Sequence, residues 1–78
     1  MIKTCLPIKK FNSAQDYFRF MVESYADWCM TEQAVWIQKH VDEPLFCLGP
    51  NREHDGYVWQ VRGNVIEIDH VDYCLRYQ

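Results

Sequence analysis

The sequence lacks any long hydrophobic run. No stretch approaches the roughly 18 apolar residues that a membrane-spanning helix needs. The N-terminal residues also contain no apolar run long enough for a signal peptide. We therefore expect a cytoplasmic protein with no membrane segment. Its cysteines are then expected to be reduced, at positions Cys5, Cys29, Cys47 and Cys74.

Motifs of catalysis and nucleotide binding are also lacking. The chain has only three glycines, none of them in a phosphate-binding loop, and it has no helix-turn-helix dipeptide, basic stripe or RNA-stacking motif. No nucleophile elbow or oxyanion loop accompanies its histidines. We expect no enzymatic activity and no cofactor.

Aromatic residues are plentiful by contrast. They make up 15% of 78 residues, and all hydrophobic residues together make up 49%. This composition is typical of a globular chain, and the length allows one core, so we expect a single α+β domain over residues 1–78. A core this small is not expected to cover every ring, which leaves some for binding.

Two helical patterns follow a short N-terminal segment. Residues 2–8 are β-leaning and contain Pro7, which predicts an edge strand. Ser13 is a predicted N-cap for a helix whose core face includes Phe18. Phe20 falls on the polar face, so we expect it either to meet another element or to be exposed. Thr31 is a predicted N-cap for a second helical segment, and whether the two form one bent helix is left open.

The second half of the chain shows strand patterns. An apolar run at residues 45–48 predicts one strand, and alternation over 57–62 predicts another. Gly63-Asn64 has the composition of a two-residue hairpin turn, with alternation resuming at Ile66 and a slip in parity near residues 69–71. The expected order is β-α-α-β-β-β-β, with one or two helices packed on an antiparallel sheet of about four to five strands.

Charge is distributed unevenly along the chain. Residues 1–40 carry five Lys or Arg against four Asp or Glu, whereas residues 41–78 carry three against seven. An acidic surface repels phosphates, so we expect no direct nucleic-acid binding unless Lys3, Lys9 and Lys10 act together. Such a surface favours a protein partner with a basic surface, although ordinary solubilising charge is an equally simple explanation. The acids concerned are Asp42, Glu43, Glu53, Asp55, Glu67, Asp69 and Asp72.

A metal site is an alternative interpretation. Cys47, His54, His70 and Cys74 are possible zinc ligands, and His70 and Cys74 are spaced so that both could reach one centre. The paired Cys-x-x-Cys of most zinc sites is missing. The acids beside His70 are also compatible with a base and its orienting group, but a solvated edge explains them more simply.

Taken together, these features favour a stoichiometric inhibitor or modulator that binds a partner protein. The possible anchors are Phe20, Trp36 and Trp59, and the seven acids would steer association. At the level of class, a compact, acidic and aromatic-rich domain without catalytic apparatus resembles the small inhibitors, anti-CRISPR proteins among them, that phages use against nucleic-acid enzymes. A regulatory homodimer that pairs edge strands or buries leftover rings is the other hypothesis.

Overall fold

The computed structural model describes residues 1–53 and 55–77, which form an α+β fold. Strand β1 (Ile2–Phe11) is followed by three helices, α1 (Ala14–Glu23), α2 (Tyr25–Cys29) and α3 (Glu32–His40). Two strands and a last helix complete the chain. These are β2 (Asp42–Pro50), β3 (Tyr57–Val65) and α4 (Glu67–Tyr77). No helix in these ranges is long and apolar enough to cross a membrane.

The strands form one antiparallel sheet in the order β1-β3-β2. The predicted edge position of β1 is therefore confirmed, and the strand extends to Phe11 with a register shift between Pro7 and Lys9. A second shift lies between Asp42 and Leu45 of β2. At this shift Glu43 adopts a positive φ of 54°.

The helix caps follow the sequence. The Ser13 hydroxyl accepts from the Asp16 amide at 3.2 Å, and the Thr31 hydroxyl accepts from the Ala34 amide at 3.3 Å. The helical region is divided at Ser24 and again after Cys29, so it forms three helices where one or two were expected. The break at Ser24 precedes Tyr25 and Trp28, which lie against the ring of Trp59.

The expected face of α1 is wrong in one respect. Phe18, predicted to face the core, is 64% exposed. Phe20 instead packs on Phe11 and Trp59, with ring centroids 5.4 Å apart in both pairs. Contact with the large Trp59 ring determines which side of α1 faces the sheet, and the charges beside Phe20 do not prevent it.

The predicted C-terminal hairpin is also wrong. The described chain has three strands where four to five were expected, because β3 continues through Gly63-Asn64 to Val65 and residues 67–77 form α4. Gly63 is a site of close approach and does not make a turn, since a Cβ there would lie 2.3 Å from Cγ1 of Val41 and 2.9 Å from the carbonyl oxygen of Asp42. The observed order is β-α-α-α-β-β-α.

The core lies between the sheet and the helices. Opposite residues of neighbouring strands share a face of the sheet, so the buried residues Trp59, Val61 and Val65 identify the face of β3 that packs on the helices. The other described members of the core are Leu6, Phe11, Ala34, Trp36, Ile37, Val41 and Tyr73. Among residues 1–53 and 55–77, no helix covers the opposite face of the sheet.

Candidate protein-binding surface

Two of the three predicted aromatic anchors are core residues. Trp59 is 1% exposed and lies against Phe20, Trp28 and Phe46, while Trp36 is 6% exposed and packs on Tyr73. Neither ring can contact a partner while the domain is folded, so neither Trp59 nor Trp36 is a surface anchor. Phe20 is half-buried in the same aromatic cluster. The rings that sequence reasoning reserved for binding stabilise the fold.

The predicted acids are divided between two ends of the sheet. Asp42 is opposite Asn64 at one end, next to the start of α4, where Glu67 lies. Glu53 and Asp55 belong to the segment between β2 and β3 at the other end. Seven residues of β3 separate these ends, which corresponds to roughly 24 Å. Glu43 lies next to Asp42 at the first end, and Asp69 and Asp72 lie on α4. The seven acids therefore form no single patch.

The alternative metal ligands are likewise not assembled. Sγ of Cys74 lies 3.9 Å from Nε2 of His70 on the helix side of the sheet. Cys47 is opposite Gln60 and faces the other side, and His54 lies outside the described residues. Within residues 1–53 and 55–77, no group of three or more His, Cys, Asp or Glu side chains is placed to hold a metal ion.

Helix α4 is anchored to the rest of the fold by Tyr73. The Tyr73 ring is fully buried, and its hydroxyl donates to the carbonyl oxygen of Pro7. The Tyr73 hydroxyl oxygen also accepts a hydrogen bond from Nε2 of Gln33 at 3.0 Å. Gln33 in turn accepts from Nε1 of Trp28 at 3.2 Å. One connected network therefore joins α4 to β1, α3 and α2. At the helix surface, Arg76 pairs with Asp72 at 3.1 Å and with Glu32 at 3.3 Å.

Burial raises the pKa of Tyr73 above its ordinary value, and the hydrogen bond from Gln33 offsets this only in part. A raised pKa in the folded state means that folding favours the protonated phenol, so its contribution to stability is complete below pH of about 10 and is lost as pH rises through the folded-state pKa. We expect Tyr73→Phe to be less stable than the wild type by about 1–2 kcal/mol at pH 8, because the Pro7 carbonyl loses its donor.

The difference between the two proteins should shrink above pH 10, since only the wild type then loses the contribution of the Tyr73 phenol. Urea unfolding followed by circular dichroism at pH 8 and at several alkaline values measures this. Tyr57→Phe, which removes an exposed hydroxyl at a strand end, is the matched control and should follow the wild type. A constant difference at all pH values would contradict the assignment.

The outward side of α4 is apolar. Its exposed residues include Ile68, Val71 and Leu75, which are 74%, 56% and 79% exposed. At 100° per residue these three directions fall within about 60° of one another, and Tyr73 points about 160° away from Leu75. They form a continuous stripe, here called the α4 stripe, on the side of the helix opposite its buried face.

Carboxylates border the α4 stripe on both sides. On the same helical projection, Glu67 lies about 40° beyond Val71, and Asp72 lies about 40° beyond Ile68. Glu67 is exposed and the side chain of Asp72 is 41% exposed. Sequence reasoning identified both acids but missed the stripe between them. The sequence pattern that indicates the stripe is the i, i+3, i+7 spacing of Ile68, Val71 and Leu75, and this segment was interpreted as a strand.

The face of the sheet that no described helix covers is basic, whereas the α4 stripe is apolar with acidic borders. Cross-strand register places Lys3, Cys5, Pro7 and Lys10 of β1 on this face together with Val58, Gln60, Arg62 and Asn64 of β3. From β2 it receives Asp42, Leu45, Cys47 and Gly49. We call these residues, with the adjoining Arg52, the open sheet face. It carries four Lys or Arg against the carboxylate of Asp42 and that of Glu53, which lies beside Arg52, although the whole chain has a net charge of -3.

Comparison with known proteins found no matching family model, no similar curated protein and no similar solved structure.

Proposed function

We propose that this protein is a protein-binding module that docks through the α4 stripe. The observation that carries the proposal is the exposure of Ile68, Val71 and Leu75 along one side of a helix whose other side is fixed to the core. An amphipathic helix that presents residues at i, i+3 and i+7 is a recurrent way of filling an apolar groove. Large exposed side chains grouped on one element mark interaction sites more often than scattered ones do.

The charges beside the stripe define the partner's chemistry. Glu67 and Asp72 border the apolar residues, so a complementary groove has an apolar floor and a basic rim. A groove of that kind that normally receives phosphates is blocked when α4 occupies it, both sterically and by charge. Stoichiometric inhibition or modulation of the partner follows from such binding and requires no catalytic group.

The contacts of α4 within the unbound protein also favour this role. Tyr73 donates a hydrogen bond to Pro7 of β1, and the exposed Arg76 pairs with Glu32 of α3, so the helix is already formed before docking. A partner therefore meets a preformed surface.

Val71→Lys combined with Leu75→Lys should abolish docking, because both side chains are central to the stripe and the new charges oppose a basic rim. We expect at least a tenfold rise in Kd, the scale of losing anchor residues at an interface. Tagged protein captures the partner from native lysate, and calorimetry with the purified partner gives Kd at several salt concentrations. In the same assay, Glu67→Lys should weaken binding and reduce its dependence on salt.

Val22→Lys is the matched control, since Val22 is an exposed valine, 84% accessible, on α1. It should bind like the wild type. All variants should retain the far-ultraviolet circular dichroism and, within about 0.5 kcal/mol, the stability of the wild type, as surface substitutions usually do. Equal binding by the stripe variant and the control would refute α4 as the docking helix.

A further inference from the structure

The open sheet face contains a depression beside Gly49. Its volume is about 550 Å³, and its lining includes Leu45, Cys47, Arg52 and Arg62. Gly49 contributes no side chain, and Leu45 is 63% exposed at its edge. The described lining includes two arginines and no carboxylate. The depression therefore has a mixed lining, in which the apolar Leu45 and Pro50 lie beside the polar Gln60, and a basic rim of Arg52 and Arg62.

The apolar groups and the basic rim of the depression are the features that the α4 stripe requires of a partner. Arg52 and Arg62 are both exposed, and neither forms an ion pair within the described residues. Across the sheet, Lys3 lies one row beyond Arg62, and Lys10 lies in the row of Val58. These rows span roughly 20 Å along β3, about the length of three to four helical turns.

We propose that the open sheet face of one copy receives the α4 stripe of a second copy. The inference rests on the proposed function, because it names the groove that α4 enters. Ile68, Val71 and Leu75 would cover Leu45 and the depression beside it. Glu67 and Asp72, five residues and roughly 7.5 Å apart along the helix axis, would meet the arginines of the rim, with Asp72 shared between the rim and Arg76 of its own helix.

The two surfaces cannot satisfy each other within one molecule. Tyr73 on the inner side of α4 is buried in the core, so the α4 stripe on the other side of the helix faces away from its own molecule and does not reach the open sheet face of the same chain. The contact is therefore head to tail, with different surfaces used by each copy, and it produces chains or rings. A stripe of three side chains makes a small interface, so association is reversible and appears at high protein concentration.

A symmetric contact between two α4 stripes is disfavoured by charge. It would bring the carboxylates of Glu67 and Asp72 close to the same residues of the other copy, where like charges repel. Head-to-tail docking places those carboxylates against Arg52 and Arg62 instead. Charge complementarity thus selects the open sheet face as the surface that α4 covers.

The test uses two variants that each lose a different half of the contact. Val71→Lys/Leu75→Lys removes the stripe and keeps the sheet face, whereas Leu45→Ser/Arg52→Ser/Arg62→Ser removes the sheet face without adding a charge that would attract the new lysines, and it keeps the stripe. In sedimentation equilibrium, the average mass of the wild type should rise with concentration, and each variant alone should stay near the 9.4 kDa of one chain. An equimolar mixture should form a dimer and nothing larger, because only one productive contact remains.

Three results would overturn the proposal. They are a wild type that stays monomeric at millimolar concentration, a mixture that stays monomeric although the wild type associates, and self-association of the sheet variant alone. The last result would indicate a symmetric α4 contact. Val22→Lys/Gln38→Lys is the control for surface charge, because it adds the same two positive charges as the stripe variant at exposed residues outside the two surfaces. It should associate like the wild type.

Failure of self-docking is distinguishable from failure of the proposed function. A wild type that remains monomeric but captures a partner only when the α4 stripe is intact would remove the second copy and keep the docking helix. Restored dimerisation in the mixture, with no other partner captured, would identify the second copy as the protein that α4 binds.

Discussion

Replacing Gly63 with alanine should destabilise the protein by about 3 kcal/mol, the upper part of the range for forcing an extra group into a packed core. The new Cβ would lie 2.3 Å from Cγ1 of Val41 and 2.9 Å from the carbonyl oxygen of Asp42. Val41 is itself 5% exposed, and the second neighbour is backbone. Neither can yield without moving β2 away from the centre of the sheet. Urea unfolding followed by tryptophan fluorescence measures the loss.

Gly49→Ala is the control for this substitution. Gly49 is also a strand glycine opposite β3, but its Cβ would meet only the terminal Nε2 of Gln60, at 3.1 Å, which can rotate aside. We expect its free energy of unfolding to change by less than about 0.5 kcal/mol. If Gly63→Ala were as stable as Gly49→Ala, the close contact between Gly63 and Val41 would be incorrect.

Trp59→Ala should cost about 3–5 kcal/mol, the range for truncating a buried aromatic side chain. Trp59 is 1% exposed and is shared by several elements, since its ring lies 5.4 Å from Phe20 of α1, 4.7 Å from Trp28 of α2 and 5.6 Å from Phe46 of β2. A domain of this length has about 4–12 kcal/mol of total stability. The substitution therefore removes much or all of it.

Thermal unfolding followed by far-ultraviolet circular dichroism at 222 nm checks this loss, since the signal of the helices remains measurable when the Trp59 ring and its own contribution are removed. Trp59→Phe keeps a ring in the cluster and provides a measurable transition if the alanine variant does not fold. Phe18→Ala, at a position 64% exposed, should change stability by less than about 0.5 kcal/mol. Equal effects of Trp59→Ala and Phe18→Ala would show that the aromatic cluster does not hold the helices to the sheet.

Local signals predicted several elements of the fold correctly. Ser13 and Thr31 cap helices as expected, because a hydroxyl before a helical segment accepts from an amide that the helix leaves unpaired. The strand at residues 57–62 also follows its alternation. These features depend on neighbours within a few residues, which the sequence displays directly.

The C-terminal half shows where local signals fail. Gly63-Asn64 has the composition of a hairpin turn, but the contact of Gly63 with Val41 and Asp42 explains the glycine by packing between distant segments. Residues after Val65 carry both a strand-like alternation and a helical spacing. The parity slip near residues 69–71 is consistent with a helix, in which His70, Tyr73 and Tyr77 share the inner side.

The candidate surface was predicted only in part. Acids at Glu67 and Asp72 and a basic partner follow from the charge distribution, and their binding role stays a prediction. Trp36 and Trp59 were expected at the surface because the core seemed too small, yet the aromatic cluster covers them. The basic open sheet face was also missed, since net charge along the chain does not reveal which residues share a face.

The position of β3 has a consequence for synthesis of the chain. It is the central strand and also the last one, so β1 and β2 have no strand partner until residues 57–65 are present. Pairing Ile2 with Val65 closes a loop of more than 60 residues, and such distant contacts slow folding. A nascent chain ending before Tyr57 contains helices but no sheet. Formation of the sheet on the ribosome therefore waits until residues 57–65 have left the exit tunnel.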